Sequence, residues 1–343
     1  MSRSVSIVVP AYNATEVLPI CIDALFAQAQ KPEVAEIIIL DDASTDNTAE
    51  IAEARVADAK AHGYQMRVLR QPVNAGPAAA RNRGGFEATG DVVIFTDSDC
   101  APLPHWLGEM LKPFDDPSVS AVKGAYLSRQ PEMGARFAQA EFEERYRMLE
   151  ASESVDVVFS YSAAFLRSVF VELGGFDSRF PVADNEDTEL SWRLVEARHR
   201  IVFNPNAELF HRHPPSLRTY FKKKISRGYW RMIVYRRYPD KAVKDSYTPQ
   251  GLKVQILLSF LMIVSLMLSL VFPALWTVTG VLAVIFVLTT LPFALAIIRK
   301  DPVLAVLSPL LLLGRALSLG FGVLSSLPRA FSKDPFAKVE KTT

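Results

Sequence analysis

The sequence predicts an α/β fold, a mostly parallel sheet covered on both faces, followed by a helical hairpin that crosses a membrane. Three observations predict it. Short apolar runs alternate with segments of helical spacing through the N-terminal part, polar clusters close those runs, and two long stretches without a charge stand near the C-terminus. Continuous apolar strands joined by helices are the pattern of a parallel sheet buried on both faces.

The elements follow in order. "SVSIVVP" (4–10) reads as a strand, and residues 17–29 carry helical spacing. "EIIIL" (36–40) is the second strand, followed by a helix over 46–61 that Asp46 is placed to cap. "MRVLR" (66–70) is the third strand, 77–88 an Ala-rich helix, and "DVVIF" (91–95) the fourth strand. In such sheets ligands gather outside the carboxyl ends of the strands. The clusters "PAYN", "DDASTD" and "TDSDC" fall at three of those ends, so the sequence places a site there. Neither G-x-G-x-x-G nor G-x-x-x-x-G-K-[ST] occurs, which disfavours hydride-transfer enzymes and ATPases.

The fourth strand ends on two carboxylates one residue apart, Asp97 and Asp99. Read alone, "TDSD" is either a turn, which Asp and Ser favour, or a metal site, where a cation makes two close like charges tolerable.

The C-terminal part differs in kind. Residues 1–211 hold 19 Lys and Arg against 32 Asp and Glu, whereas 212–343 hold 19 against 5. The near-neutral whole therefore hides two parts that meet different partners. Residues 254–272 and 275–298 are uncharged and each is long enough for a bilayer core of roughly 30 Å. Basic residues flank the pair and none lies between, which puts the turn outside and both flanks in the cytoplasm. A third apolar stretch is split by Arg315 into 302–314 and 316–328, each too short to cross alone, and is expected to be re-entrant or interfacial and bent at Arg315. Residues 212–244 carry 11 Lys and Arg against one acid, with aromatics interleaved. Before a membrane hairpin this reads as a helix lying on an anionic membrane surface, not as a nucleic-acid patch. Cys21 and Cys100 form no zinc spacing or disulfide framework, and no secretory signal is visible, so a reducing cytoplasmic compartment is expected.

In order, "VVPAYN", "DDASTDNT", "NAGPAAARNRG", "TDSD", "GGFD" and "NEDTELSWR" resemble the motifs of family-2 inverting glycosyltransferases with the GT-A fold, over roughly residues 4–245. The appended hairpin is similar to that of membrane-anchored bacterial members. The resemblance implies a nucleotide-diphospho-sugar donor and a Mg²⁺ or Mn²⁺ ion. It implies that Pro10, Ala11, Tyr12, Asn13, Asp42, Arg81, Asp97 and Ser98 surround the donor. Asp42 would read the base, and Arg81 would lie beside the nucleotide. Asp97 and Asp99 match the D-x-D pair, with Asp99 the direct metal ligand and Asp97 nearer the ribose. His211 would also reach the metal. Asp187 in "NED" matches the general base, with Glu186 beside it; a hydroxyl acceptor needs such a base to become a nucleophile.

The expected organisation is a GT-A catalytic domain over 1–211, a basic membrane-interface segment over 212–250, the hairpin plus third helix over 251–330 and a cytoplasmic tail over 331–343. The Q-x-x-R-W motif of processive synthases is replaced by "KISRG" (224–228), which favours single-sugar addition. The expected acceptor is a lipid-linked saccharide at the cell (inner) membrane, in polysaccharide or glycan biosynthesis. A polyprenyl-phosphate sugar synthase and a non-catalytic membrane scaffold are the rival readings; the retained acids Asp97, Asp99 and Asp187 weigh against the scaffold.

Overall fold

A computed structural model describes residues 3–30, 35–180, 184–332 and 334–336. Of the expected tail 331–343, residues 333 and 337–343 lie outside the described residues. The chain forms two compact units, Met1–Ser128 with Tyr146–Arg212, and Arg129–Arg145 with His213–Thr343.

The first unit begins as the sequence predicts. Strands β1 (Val5–Ala11), β2 (Ala35–Asp41) and β3 (Gln65–Arg70) alternate with helices α1 (Leu18–Phe26), α2 (Thr48–Ala54), α3 (Val56–Ala61) and α4 (Pro77–Glu87), and β4 (Val92–Thr96) follows. The expected single helix over 46–61 is two helices meeting at Arg55, whose guanidinium is held by Asp23 and Asp58. Asp46 does not cap α2: the N-cap is Asn47, without a side-chain capping bond, and Asp46 accepts from the Thr48 N–H at 3.0 Å in an Asx-type turn just before the helix. Then come β5 (Cys100–Pro102), α5 (Trp106–Leu111), β6 (Val119–Leu127), α6 (Met133–Glu150), β7 (Ser162–Leu166), α7 (Arg167–Glu172), α8 (Glu186–Glu196) and β8 (Arg200–His211).

These strands make one sheet in the order β3-β2-β1-β4-β7-β6-β8-β5. The first four are parallel, but β7 runs antiparallel to both β4 and β6, and β5 antiparallel to β8. The sheet is therefore mixed, and its parallel half is the half the apolar runs announce. Two of its pairings position the site. Thr96, the last residue of β4, lies opposite Ser162, and Cys100 lies opposite His211.

The second unit contains α9 (Leu217–Arg237), α10 (Pro239–Val243), α11 (Gln250–Ser269), α12 (Leu275–Ile297) and α13 (Pro302–Ala330), together with residues 129–145 of α6. The expected domain boundary at 211 therefore fails for 129–145. The reason is ionic: Arg136 pairs with Asp301, and Glu141 pairs with Lys224 at 2.8 Å and Arg315 at 2.8 Å. Among the described residues three helices, α11, α12 and α13, are long and apolar enough to cross a membrane. The expected bend at Arg315 is absent, since α13 runs unbroken through it. A charge in an apolar stretch forces a break only if it must reach water. Arg315 is buried and bonds Glu141 and Gln255 instead. Close approach of α9 and α13 rests on glycine: a Cβ on Gly228 would meet the Leu319 carbonyl oxygen at 2.3 Å, and one on Gly322 that of Ile225 at 2.1 Å.

Candidate active site

The site lies at the carboxyl ends of β1, β2 and β4, where the three polar clusters were expected. Pro10 and Ala11 close β1, and Tyr12 stands 50% exposed just beyond it. Asn13 adopts a left-handed φ of 49°, which asparagine tolerates better than most residues. Its side-chain oxygen accepts from Thr45 N–H at 2.8 Å while its own N–H donates to Ser44 Oγ at 2.9 Å. Asn13 thus pins the loop after β1 to the loop after β2, and leaves Tyr12 presented to solvent.

Asp42 was expected to read a base, but it is only 4% exposed. Its carboxylate accepts from Gln71 Nε2 at 2.8 Å, Ala75 N–H at 2.9 Å and Gly76 N–H at 2.9 Å. Those bonds shape the loop 71–76, where Gly76 at φ 88° precedes Pro77 at the start of α4. In this structure Asp42 thus holds the loop 71–76 through the Gln71 side chain and the two amides. Gln71 and the 75–76 amides were missed because "QPVNAG" reads as an ordinary turn.

Arg81 was expected beside the nucleotide. It is 3% exposed, and its guanidinium forks between the two halves of the site. Nη2 donates to Asp97 Oδ1 at 2.8 Å and Nη1 to Glu186 Oε1 at 3.0 Å. These charges, with Asp187 nearby, hold Arg81 protonated although burial opposes it. Arg81 is a bridge between "TDSD" and "NED". Its Nη1 and Nη2 are taken by these two acids, while its Nε has no hydrogen-bond partner among the described residues.

Asp97, engaged by Arg81, is not among the described groups whose ligand atoms converge. Those are Asp99, Cys100 and His211, within 4.8 Å of one another. Ser98 links the two acids and is half-buried. The register of β5 on β8 brings His211 beside Asp99 across 112 residues of chain, and the Tyr126 ring stacks on the imidazole at 4.7 Å between centroids. His211 Nε2 stands 3.6 Å from Asp99 Oδ2, too far for a hydrogen bond. Burial, reinforced by Asp97 and Asp99, pushes the Cys100 thiol well above its ordinary value and keeps it protonated. A carboxylate and an imidazole fit a divalent cation such as Mg²⁺ or Mn²⁺, whereas a cysteine sulfur is too soft a donor for it. Asp99 and His211 are the residues that would hold it.

The "NED" acids separate into two roles. Asn185, left-handed at φ 70°, starts α8, and three acids fill its first turn where the helix dipole favours them. Glu186 is 2% exposed and paired with Arg81, while Asp187 is partly exposed, its Oδ1 accepting from Thr188 N–H at 2.7 Å. Burial first, and then the Asp187 charge, push Glu186 above the ordinary carboxylate range, against the downward pull of Arg81. Of the two, Asp187 is the one a ligand can meet. Glu186, expected beside it as catalytic, is buried and paired with Arg81.

One residue that composition did not mark is Lys123 on β6. It is fully buried, donating to the Gly124 carbonyl at 3.0 Å and Tyr161 Oη at 3.1 Å, among the rings of Tyr146, Phe159, Tyr161 and Phe203 at 5.0–5.4 Å. Burial lowers its pKa to about 7, opposed by the charge of Asp187. The available signal was a lysine inside "VSAVKGAYL", a strand otherwise free of charge.

The fold is of the GT-A class. The Glycosyl transferase family 2 profile matches residues 6–174, and the chain carries a domain of that family. It is 29% identical over 263 residues to the pre-mycofactocin glycosyltransferase of Mycobacterium tuberculosis, covering 75% of this chain and 53% of that protein. The chain thus spans about half the length of curated relatives it matches. Among solved structures it is similar to a mannosyltransferase of Pyrobaculum calidifontis in complex with GDP-Man and Mn²⁺, with TM-score 0.61 and 21% identity, covering 95% of this chain and 88% of that one. It also resembles GalNAc-T7 with UDP, GalNAc and Mn²⁺, at TM-score 0.50 and 16% identity, over 74% and 53%.

Proposed function

We propose that this chain is a metal-dependent, inverting glycosyltransferase that moves one sugar from a nucleotide-diphospho-sugar to a hydroxyl of a membrane-associated, lipid-linked acceptor. The observation that carries the reading is the Arg81 fork, which ties the D-x-D turn through Asp97 to the N-terminus of α8 through Glu186. Asp187 follows Glu186 in the first turn of α8, close enough for its charge to act on Arg81. Its carboxylate accepts the proton of the attacking hydroxyl, which makes the oxygen a competent nucleophile. Exposed Tyr12 offers a flat face to the base of the donor. A divalent ion held by Asp99 and His211 supplies neutralisation of the donor's diphosphate as it leaves; the Mn²⁺ in both solved neighbours supports that choice.

The three long apolar helices support membrane attachment, and the basic flanks support a cytoplasmic site on the cell (inner) membrane. A phosphate acceptor, as in a polyprenyl-phosphate sugar synthase, would have little use for Asp187. The test is purified protein in detergent with a panel of nucleotide-sugars and lipid-extract acceptors, reading released nucleoside diphosphate and the anomeric configuration of the product by NMR. Release without inversion, or no release from any donor, overturns the reading.

A further inference from the structure

Helix α13 has 29 residues, yet both of its ends sit at the open end of the α11–α12 hairpin. The hairpin helices run antiparallel, with Ser265 Oγ against Thr279 Oγ1 at 2.8 Å toward the turn and Gln255 donating to the Thr289 carbonyl at 3.2 Å toward the open end. Asp301, which caps α13 by accepting from the Leu304 N–H at 3.0 Å, follows the end of α12 at Ile297. At the far end of α13 the Ala330 and Ser332 carbonyls accept from Arg236 at 2.5 and 2.6 Å. Arg236 belongs to the last turn of α9, and α10 beyond it is tied to the start of α11 by Lys253, which donates to the Ala242 carbonyl at 2.9 Å. A helix that crossed beside the hairpin would have its two ends at opposite faces of the bilayer.

Charge accompanies α13 along its length. Helix α9, with eight Lys and Arg and no acid, follows it from the Phe221 ring over Gly314, past the Gly228–Gly322 approach, to Arg236. On α9, Arg218, Lys222 and Arg236 are exposed. Midway along α13, Arg315 donates to Gln255 at 2.7 Å and to Glu141 at 2.8 Å. Were α13 to cross, this ion pair would stand at the bilayer centre and α9 would follow it in, where charges are most costly.

The remaining face is apolar. Val303, Val306, Leu310, Phe321 and Leu324 recur at helical spacing and are 50–76% exposed. They turn away from Arg315, Leu319 and Gly322, the positions that meet Glu141 and α9. A stripe of that size marks an interaction surface. Its neighbours say which kind. Helices α11 and α12 pack on α13 through Leu258, Phe286 and Ala316, and carry exposed apolar residues of their own at Leu257, Leu261 and Val284.

We propose that α13 lies in the membrane plane at the open end of the hairpin, its 303–324 stripe seated in lipid at the boundary of headgroups and acyl chains. Such a helix buries its apolar face about 5–10 Å deep. Two of the three long helices then cross the bilayer, and α9 keeps to the aqueous side of α13. The interfacial stretch expected from the sequence thereby gains a lipid face and an unbroken path. The placement is independent of the sugar-transfer reading and is measured without a donor.

The test reconstitutes the full chain in phosphatidylcholine–phosphatidylglycerol vesicles with one nitroxide at a time on Val306→Cys, Leu310→Cys, Phe321→Cys or Leu324→Cys. Cys21 and Cys100 are buried, and the unsubstituted chain is the labelling control. Power saturation with oxygen and a water-soluble nickel chelate reads the depth of each label. The four sites span about 27 Å of helix. In plane, their depths should agree within about 5 Å; a crossing helix would spread them over about 20 Å. An impermeant maleimide should label Asp334→Cys and Lys244→Cys from the same side of sealed membranes. Depths that diverge along the helix, or labelling from opposite sides, would overturn the proposal. So would nickel-accessible stripe labels or dipolar coupling between copies, which would make the stripe a water-facing or chain-to-chain surface. The maleimide measurement decides even if a stripe variant fails to fold.

Discussion

Arg81 Nη1 donates to Glu186 Oε1 at 3.0 Å, both side chains buried, across 105 residues of sequence. Removing one member of a buried ion pair costs about 3–5 kcal/mol, because the other is left uncompensated. Arg81→Met should therefore destabilise the first unit by up to about that amount in chemical denaturation at pH 9, where Glu186, pushed up to about 8, is ionised, and by less at pH 6, where it is protonated. The loss should depend on pH in one direction. Glu186 has a folded pKa above its unfolded value, so the folded state holds the proton longer and stability falls as pH rises through that window. Without Arg81 the slope should steepen, making the variant relatively weaker at pH 9 than at pH 6. A deficit that does not change with pH would remove Glu186 from this account.

The metal assignment rests on Asp99 and His211 and can be read without turnover. Asp99→Asn or His211→Ala should abolish Mn²⁺ binding by calorimetry, whereas Asp97→Asn, whose carboxylate is bonded to Arg81, should retain it. Tyr126, stacked on His211, orients the imidazole. Tyr126→Leu should weaken Mn²⁺ about tenfold, at the low end for groups that orient a ligand from behind. If Asp97→Asn and Asp99→Asn lose the ion equally, the division between the two acids is wrong.

Much of this architecture is legible in the sequence, for identifiable reasons. The parallel half of the sheet follows from "SVSIVVP", "EIIIL", "MRVLR" and "DVVIF", because strands buried on both faces read as unbroken apolar runs. The antiparallel half does not, since β5 has three residues and β7 reads as the neutral "SAAFL". Asp97, Asp99 and Asp187 stand out through spacing and charge. The role of Arg81 does not, because a local pattern such as "AARNRG" cannot say that the guanidinium reaches residues 97 and 186. Asp42 and Arg315 show the same limit: a charged side chain's role depends on partners the fold supplies from far along the chain.

Lys123 gives a prediction of opposite pH sign. Its pKa falls to about 7 in the fold, below its unfolded value, so the unfolded chain binds more protons between those values and stability rises with pH there. The cost of burying the ammonium is present in full below about pH 7, although the surrounding rings and the Tyr161 hydroxyl offset part of it. Lys123→Met should stabilise the protein at pH 6 by a few kcal/mol at most and flatten the rise in stability between pH 7 and 10. Thermal melts across that range measure it. A variant less stable than the parent at pH 6 would mean that the ammonium and its aromatic cage are net favourable.

Asp187 decides the kind of acceptor. A general base typically contributes about 10² to 10⁴ in rate. With a hydroxyl acceptor, Asp187→Asn should lower kcat within that range while the donor's Kd, set elsewhere at the sheet edge, changes little. The substitution keeps size and hydrogen-bonding capacity, so Thr188 retains an acceptor and α8 its first turn. Glu186→Gln is the contrast: buried and bonded to Arg81, it should act through stability and not through the proton transfer. An ionised phosphate acceptor carries no proton to remove at high pH, and Asp187→Asn would then keep most of its turnover. The measurement is transfer to matched alcohol and phosphate acceptors with one active donor at fixed Mn²⁺. A variant that retains more than about a tenth of parental turnover on the alcohol, above the range expected for a lost base, would sink the base assignment and favour a phosphate acceptor.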